Sequence, residues 1–153
     1  MKQSKAFAVV VIFALTCITT LAAQEHGNWR AASSTARSIT GDLNIATDKI
    51  TLNFAIFPVS QIRALQPAEI KATFDLDGEP AGTGSLYKLN IPATQKFLKK
   101  NSLCGDETTQ WMVTWAAGHN LQVAFFSGGP VPLFTPEAIA TTTNLCGVFT
   151  YVK

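Results

Sequence analysis

The sequence predicts one small antiparallel β-barrel or β-sandwich of about seven to eight strands with two short helices. Apolar and polar residues alternate with a period of two in several segments, as in strands that have one face on a core. Charged residues make up only 14% of the chain, and threonine, serine and asparagine supply much of its polarity. Residues 24–153 have the length of a single domain with one core.

Residues 1–23 have the pattern of a secretory signal peptide, which would be removed from the mature protein. Lys2 and Lys5 form a basic start, residues 6–15 are apolar, and residues 19–23 are mostly small. We expect cleavage after residue 23 or 22, with loss of Cys17, and a periplasmic or secreted domain that keeps no membrane span and carries no lipid.

The first predicted hairpin joins two alternating segments, residues 38–45 and 50–56, through a two-residue turn at Thr47 and Asp48. This register places apolar residues opposite apolar residues or glycine in the pairs Ile45 with Ile50, Leu43 with Leu52, Gly41 with Phe54, and Ile39 with Ile56. A shift by one residue would turn one apolar face to water.

The remaining elements are predicted from shorter patterns. Strands are expected at 70–76, 87–91 and 148–152, and helices at 92–100 and after Thr135. A second hairpin sets Trp111, Val113 and Trp115 against Leu121, Val123 and Phe125, around a three-residue loop at 117–119. Thr135 can cap the second helix, and Pro136 can start it.

The mature chain retains two cysteines, Cys104 and Cys146, each followed by glycine. An even pair in an exported domain predicts a structural disulfide bond. That bond would tie the last strand to the middle of the chain.

The charge balance limits the classes of partner. Residues 24–153 contain ten basic and ten acidic residues, without a basic stripe. This balance argues against nucleic acid and against electrostatic binding to anionic membranes.

No cluster of catalytic or metal-ligating residues is evident. The two histidines, His26 and His119, lie in a terminal segment and in a predicted turn, and no metal or other cofactor is expected. Ser85 and Lys88 have a Ser-x-x-Lys spacing, but on a strand they point to opposite faces. Dispersed carboxylates such as Asp42, Asp48 and Asp106 leave an enzyme as an alternative.

The segment 127–134 is the main candidate binding site. Its glycines and prolines exclude regular structure, while Val131, Leu133 and Phe134 are apolar. Such a loop either covers a core or presents an apolar patch to a partner. His119 is a second candidate.

Two resemblances add expectations. Gly27-Asn28-Trp29 resembles the Gly-x-Trp opening of lipocalin-like barrels, in which the tryptophan closes one end. The C-terminal half is similar to uncharacterised exported bacterial proteins at Leu86 to Leu89, Asn101 to Gly105, Gln110-Trp111, Val123 to Gly128 and Leu145 to Gly147. This second resemblance implies a bacterial envelope or secreted setting and no defined activity.

The expected function is therefore that of a non-enzymatic exported domain that binds a partner protein or a small apolar ligand. One alternative is an inhibitor of an extracytoplasmic hydrolase that presents the 127–134 loop or the 117–120 turn. The other alternative is the enzyme with dispersed carboxylates.

Overall fold

The computed structural model describes residues 24–153, which form a closed antiparallel barrel in which each strand pairs with its neighbours in the chain. The predicted signal peptide and Cys17 lie outside the described residues. The strands are β1 (Gly27–Ala31), β2 (Leu43–Ile45), β3 (Lys49–Leu52), β4 (Ala55–Ala64), β5 (Thr83–Ile91), β6 (Thr109–Ala117), β7 (Asn120–Ser127) and β8 (Leu145–Val152). The helices are α1 (Ser34–Ser38), α2 (Pro67–Phe74) and α3 (Pro136–Thr141). The fold class is thus confirmed, and the architecture is a barrel.

The predicted β2–β3 hairpin is confirmed at its centre. Ile45 pairs with Ile50 and Leu43 pairs with Leu52 across the two-residue turn. The longer pairing is wrong, because β3 ends at Leu52 and the chain reverses at once into β4. Residues 38–41 instead end α1 and form the connection to β2.

The β6–β7 hairpin exists, but its predicted register is wrong by one residue. Ala117 pairs with Asn120 around a two-residue turn, Gly118-His119. Met112 and Phe125 share the inner face, whereas Trp111 lies on the outer face. Both faces of these strands are apolar because helices cover the outside, so matching one apolar face to another could not determine the register.

The segment predicted as a strand at 70–76 is mainly helix α2. Pro67 occupies its first turn, and the Glu69 carboxylate accepts a hydrogen bond from the backbone N–H of Gln66 at 2.8 Å. Ile70 and Phe74 are four residues apart and therefore lie on one side of the helix, facing the barrel. The apparent alternation was too short to distinguish this spacing from a strand.

The predicted helix at 92–100 is also wrong, since only Leu98–Lys100 forms a short 3-10 turn. Lys99 and Lys100 have positive φ angles, which end any regular helix there. The helix after Thr135 is confirmed as α3. The Thr135 hydroxyl accepts a hydrogen bond from the amide of Ala138, and Glu137 lies in the first turn.

Large side chains fill the barrel interior. Those that are completely or almost completely buried include Trp29, Tyr87, Met112, Phe125, Phe149 and Tyr151. An eight-stranded barrel has an interior that side chains of this size can fill. The inside of this barrel is therefore a packed core.

Cys104 and Cys146 form a disulfide bond, as predicted, with their Cα atoms 4.9 Å apart. The bond links the loop before β6 to the beginning of β8. None of the helices among residues 24–153 has the length and apolar composition needed to cross a membrane.

The two tyrosines of the chain, Tyr87 and Tyr151, provide a test of this packing. Burial raises the pKa of both phenols above the ordinary value, with the nearby carboxyl groups of Glu25 and Asp42 adding to the respective shifts. A raised pKa means that the neutral phenols stabilise the fold below about pH 10, and that this stability is lost as the pH rises further. In an alkaline titration, phenolate absorbance should rise only together with loss of the circular dichroism of the fold. Phenolate formation in a fully folded domain near pH 10 would contradict the burial of these two side chains.

Candidate functional site

An outer apolar layer covers one side of the barrel. Leu86, Val113 and Phe126 face outward from β5, β6 and β7, and they pack against Ile70 and Phe74 of α2. Phe134, from the β7–α3 loop, completes this second cluster. The layer explains why these strands are apolar on both faces.

A groove of about 720 Å³ lies between α2, α3 and β8. Its walls are mainly apolar, and they include Ala72, Phe74, Leu76, Ile139, Ala140 and Val148. Lys71 and Asp75 also line it and carry its charges. Ligand pockets in proteins commonly have this size and an apolar lining with few polar groups.

Local sequence explains the shape of the groove. Asp75 ends α2 in the left-handed conformation, and its backbone N–H donates to the carbonyl oxygen of Lys71. Thr73 is polar, but its hydroxyl donates to the backbone oxygen of Glu69, 2.8 Å away, and needs no further partner. Phe74 packs against Trp115, with ring centroids 5.7 Å apart. The apolar surface of the groove is therefore held in place by the packing of α2 against β6.

The three apolar residues of the predicted binding loop at 127–134 differ in burial. Phe134 is only 7% exposed and packs edge-on against Phe126, whereas Leu133 is 74% exposed and Val131 is 49% exposed. The loop is fixed at its start, because the Trp111 indole N–H donates to the carbonyl oxygen of Gly128 at 3.1 Å. One apolar residue therefore covers the core, and two face outward.

The other sequence candidates do not join this site. His119 is exposed in the β6–β7 turn, at the opposite end of β7 from the 127–134 loop. Asp42 and Asp48 lie beyond opposite ends of β2. Within residues 24–153, no group of three or more histidine, cysteine, aspartate or glutamate side chains is arranged to hold a metal ion.

Ser85 and Lys88 point to opposite sides of β5, as the strand reading predicted. Ser85 hydrogen-bonds inside the barrel, whereas the Lys88 ammonium lies 4.0 Å from the centre of the Trp111 ring on the outside. A serine–lysine catalytic pair is therefore absent at this position.

A buried carboxylate was missed by the sequence reading. Glu25 is 2% exposed and accepts hydrogen bonds from the hydroxyls of Ser85, at 2.6 Å, and Thr114. Its backbone oxygen accepts from the indole N–H of Trp29 at 2.9 Å. The buried Tyr87 hydroxyl has no hydrogen-bond partner among the described residues. A glutamate beside a predicted cleavage site gave no signal of burial.

No protein-family model, curated protein or solved structure matches the chain. The two short resemblances seen in the sequence therefore stay expectations. Trp29, the tryptophan of the lipocalin-like opening, is part of the barrel core.

Proposed function

We propose that this protein is a non-enzymatic, exported domain that binds a small apolar ligand in the groove between α2, α3 and β8. The observation that carries the proposal is an open apolar groove of about 720 Å³ on the outside of a barrel whose inside is filled. A ligand therefore has room in the outer layer and not along the barrel axis.

The chemistry of the groove favours an aliphatic or aromatic ligand with one polar group. Ile139 and Ala140 of α3 line the groove together with Ala72 and Leu76, and Lys71 supplies a cation in its lining. A ligand that buries about 200 Å² of apolar surface gains roughly 5 kcal/mol from burial. Because association also costs translational and rotational freedom, we expect weak to moderate affinity.

Filling the groove should weaken binding. Ala140 is exposed on α3 and lines the groove, so Ala140→Phe places a ring in the ligand's space without entering the core. We expect this variant to bind the apolar dye N-phenylnaphthylamine at least about tenfold more weakly, since it loses more than 1.4 kcal/mol of contact. Dye fluorescence in a titration measures the affinity.

The matched control is Ala64→Phe, because Ala64 is an exposed alanine of β4 outside the groove. This variant should bind the dye as the unmodified domain does, and both variants should unfold at nearly the same temperature. Equal dye affinity in Ala140→Phe and in the unmodified domain would contradict the proposed site.

A second candidate is binding of a partner protein, including inhibition of an extracytoplasmic hydrolase, through the 127–134 loop. It is favoured by the exposed Leu133 and Val131 above a loop that Phe134 and the Gly128 hydrogen bond anchor. An anchored loop with exposed apolar residues loses little conformational entropy on binding. Capture of secreted proteases and muramidases by the immobilised domain, with Leu133→Ser as the comparison, tests this candidate.

A further inference from the structure

A second concave surface lies on the outside of β1, β2 and β3, and its volume is about 730 Å³. It shares no lining residue with the groove between α2 and α3. Its lining contains more polar side chains than that of the other groove, among them Asn28, Arg30, Asp42, Asn44 and Asn53, and it also includes the aromatic residue Phe54. These side chains favour a ligand that combines polar groups with an apolar face.

Planar polar groups line this surface, and several are already held in place. The Asn44 side-chain amide donates to the side-chain oxygen of Asn28 at 2.7 Å, which fixes two amides side by side. One carboxylate oxygen of Asp42 accepts the backbone N–H of Ala31 at 2.9 Å. Within residues 24–153, the side-chain NH2 group of Asn28 and the second carboxylate oxygen of Asp42 have no hydrogen-bond partner. Such paired donors and acceptors match the hydroxyl groups of a sugar ring.

Phe54 stands at one end of the surface in a costly conformation. Asn53 and Phe54 form the two-residue β3–β4 turn with φ angles of 44° and 67°. Glycine is the preferred second residue in such turns, since a side chain is strained there. Phe54 is also 95% exposed, so packing against the described residues does not offset the backbone strain. An exposed aromatic face attracts the C–H groups of a sugar ring, which carry partial positive charge.

The charges of the surface favour an acidic ligand. The single ion pair among residues 24–153 joins Arg63 to Glu69, so the Arg30 guanidinium has no carboxylate partner there. The Lys153 ammonium is a second cation in the lining and lies 4.4 Å from the centre of the Trp29 ring. Arginine binds carboxylates through two parallel hydrogen bonds.

We propose that this surface binds an oligosaccharide that contains uronic acid residues. Arg30 binds a carboxylate, Asn28 and Asp42 bind hydroxyl groups, and Phe54 stacks on the apolar face of a sugar ring. Neutral sugars lack the group that complements Arg30, and a purely apolar ligand would make no hydrogen bond to the remaining amide donor of Asn28. This site is independent of the proposed apolar groove.

Calorimetric titration with oligogalacturonate, oligoguluronate and oligoglucuronate tests the proposal. We expect at least one of them to bind, and its methyl ester, which removes the charge, to bind more weakly. Arg30→Gln should weaken binding by about tenfold or more, because it removes a charge-assisted hydrogen-bonded pair. Lys96→Gln, which makes the same charge change at an exposed residue outside the surface, should have little effect.

Phe54→Gly separates binding from stability. It should weaken oligosaccharide binding while raising the melting temperature, because glycine relieves the strained turn. Ala140→Phe in the other groove should leave oligosaccharide binding unchanged. The proposal is overturned if none of the three acidic oligomers binds, if acid and ester bind equally, or if Arg30→Gln and Lys96→Gln weaken binding to the same extent.

Discussion

Replacement of both Cys104 and Cys146 by serine is expected to lower the free energy of unfolding by roughly 4 kcal/mol. The two cysteines are 42 residues apart in sequence, and the bond restricts the unfolded chain over that whole loop. A small domain has a net stability of about 5–15 kcal/mol, so the loss would bring it close to the unfolding threshold.

Urea denaturation of the oxidised domain, the reduced domain and the double serine variant measures this effect. The reduced and serine-substituted forms should share a midpoint that is well below that of the oxidised form. A reduced domain that unfolds at the same urea concentration as the oxidised one would show that the loop is constrained in some other way.

The position of the bond explains why its loss should affect the fold as a whole. Cys104 lies in the long connection between β5 and β6, which contains no α-helix, and Cys146 lies near the beginning of β8. Leu103, beside the first cysteine, is part of the barrel core. The bond therefore fixes a loop that covers core residues to the strand that closes the barrel against β1.

The parts of the fold that could be predicted have a single interpretation in the sequence. The β2–β3 hairpin has one apolar face and one polar face, so only one register buries Ile45, Ile50, Leu43 and Leu52 together. The disulfide followed from there being only two cysteines in the predicted mature chain. Helix α3 followed from the Thr135-Pro136-Glu137 start signal.

The errors occur where tertiary contacts decide between two readings. Trp111 and Val113 could face the barrel interior or an outer layer, and only the presence of α2 over β6 selects the outside. Ile70, Ala72 and Phe74 fit a strand over such a short segment, but Ile70 and Phe74 also fit one side of a helix. Local spacing could not reveal which element lay opposite.

The candidate sites were even harder to predict from the sequence than the fold. Both grooves arise from elements far apart in the chain, such as α2 with β8, or β1 with β3. The strain at Phe54 depends on the two-residue turn between Leu52 and Ala55, whereas the sequence reading placed Phe54 inside a strand. Only the loop at 127–134 is a candidate site that consists of one continuous segment, so its composition could be recognised in the sequence.

That loop provides a matched pair of substitutions with opposite expected results. Phe134→Ser should lower the free energy of unfolding by about 3–5 kcal/mol, because it leaves a cavity beside Phe126 and places a hydroxyl in the outer apolar layer. Leu133→Ser should change it by no more than about 0.5 kcal/mol, since that side chain is mostly in water.

Thermal and urea unfolding of the two variants, measured beside the unmodified domain, check this difference. Leu133 and Phe134 are adjacent apolar residues that are both replaced by serine, and one is exposed while the other is buried. Each variant is therefore the control for the other. Capture of a partner protein should depend on Leu133 if the loop is a binding surface, while loss of stability should follow Phe134. Comparable destabilisation by both substitutions would mean that Leu133 also covers the core, and it would remove the structural basis for partner binding through this loop.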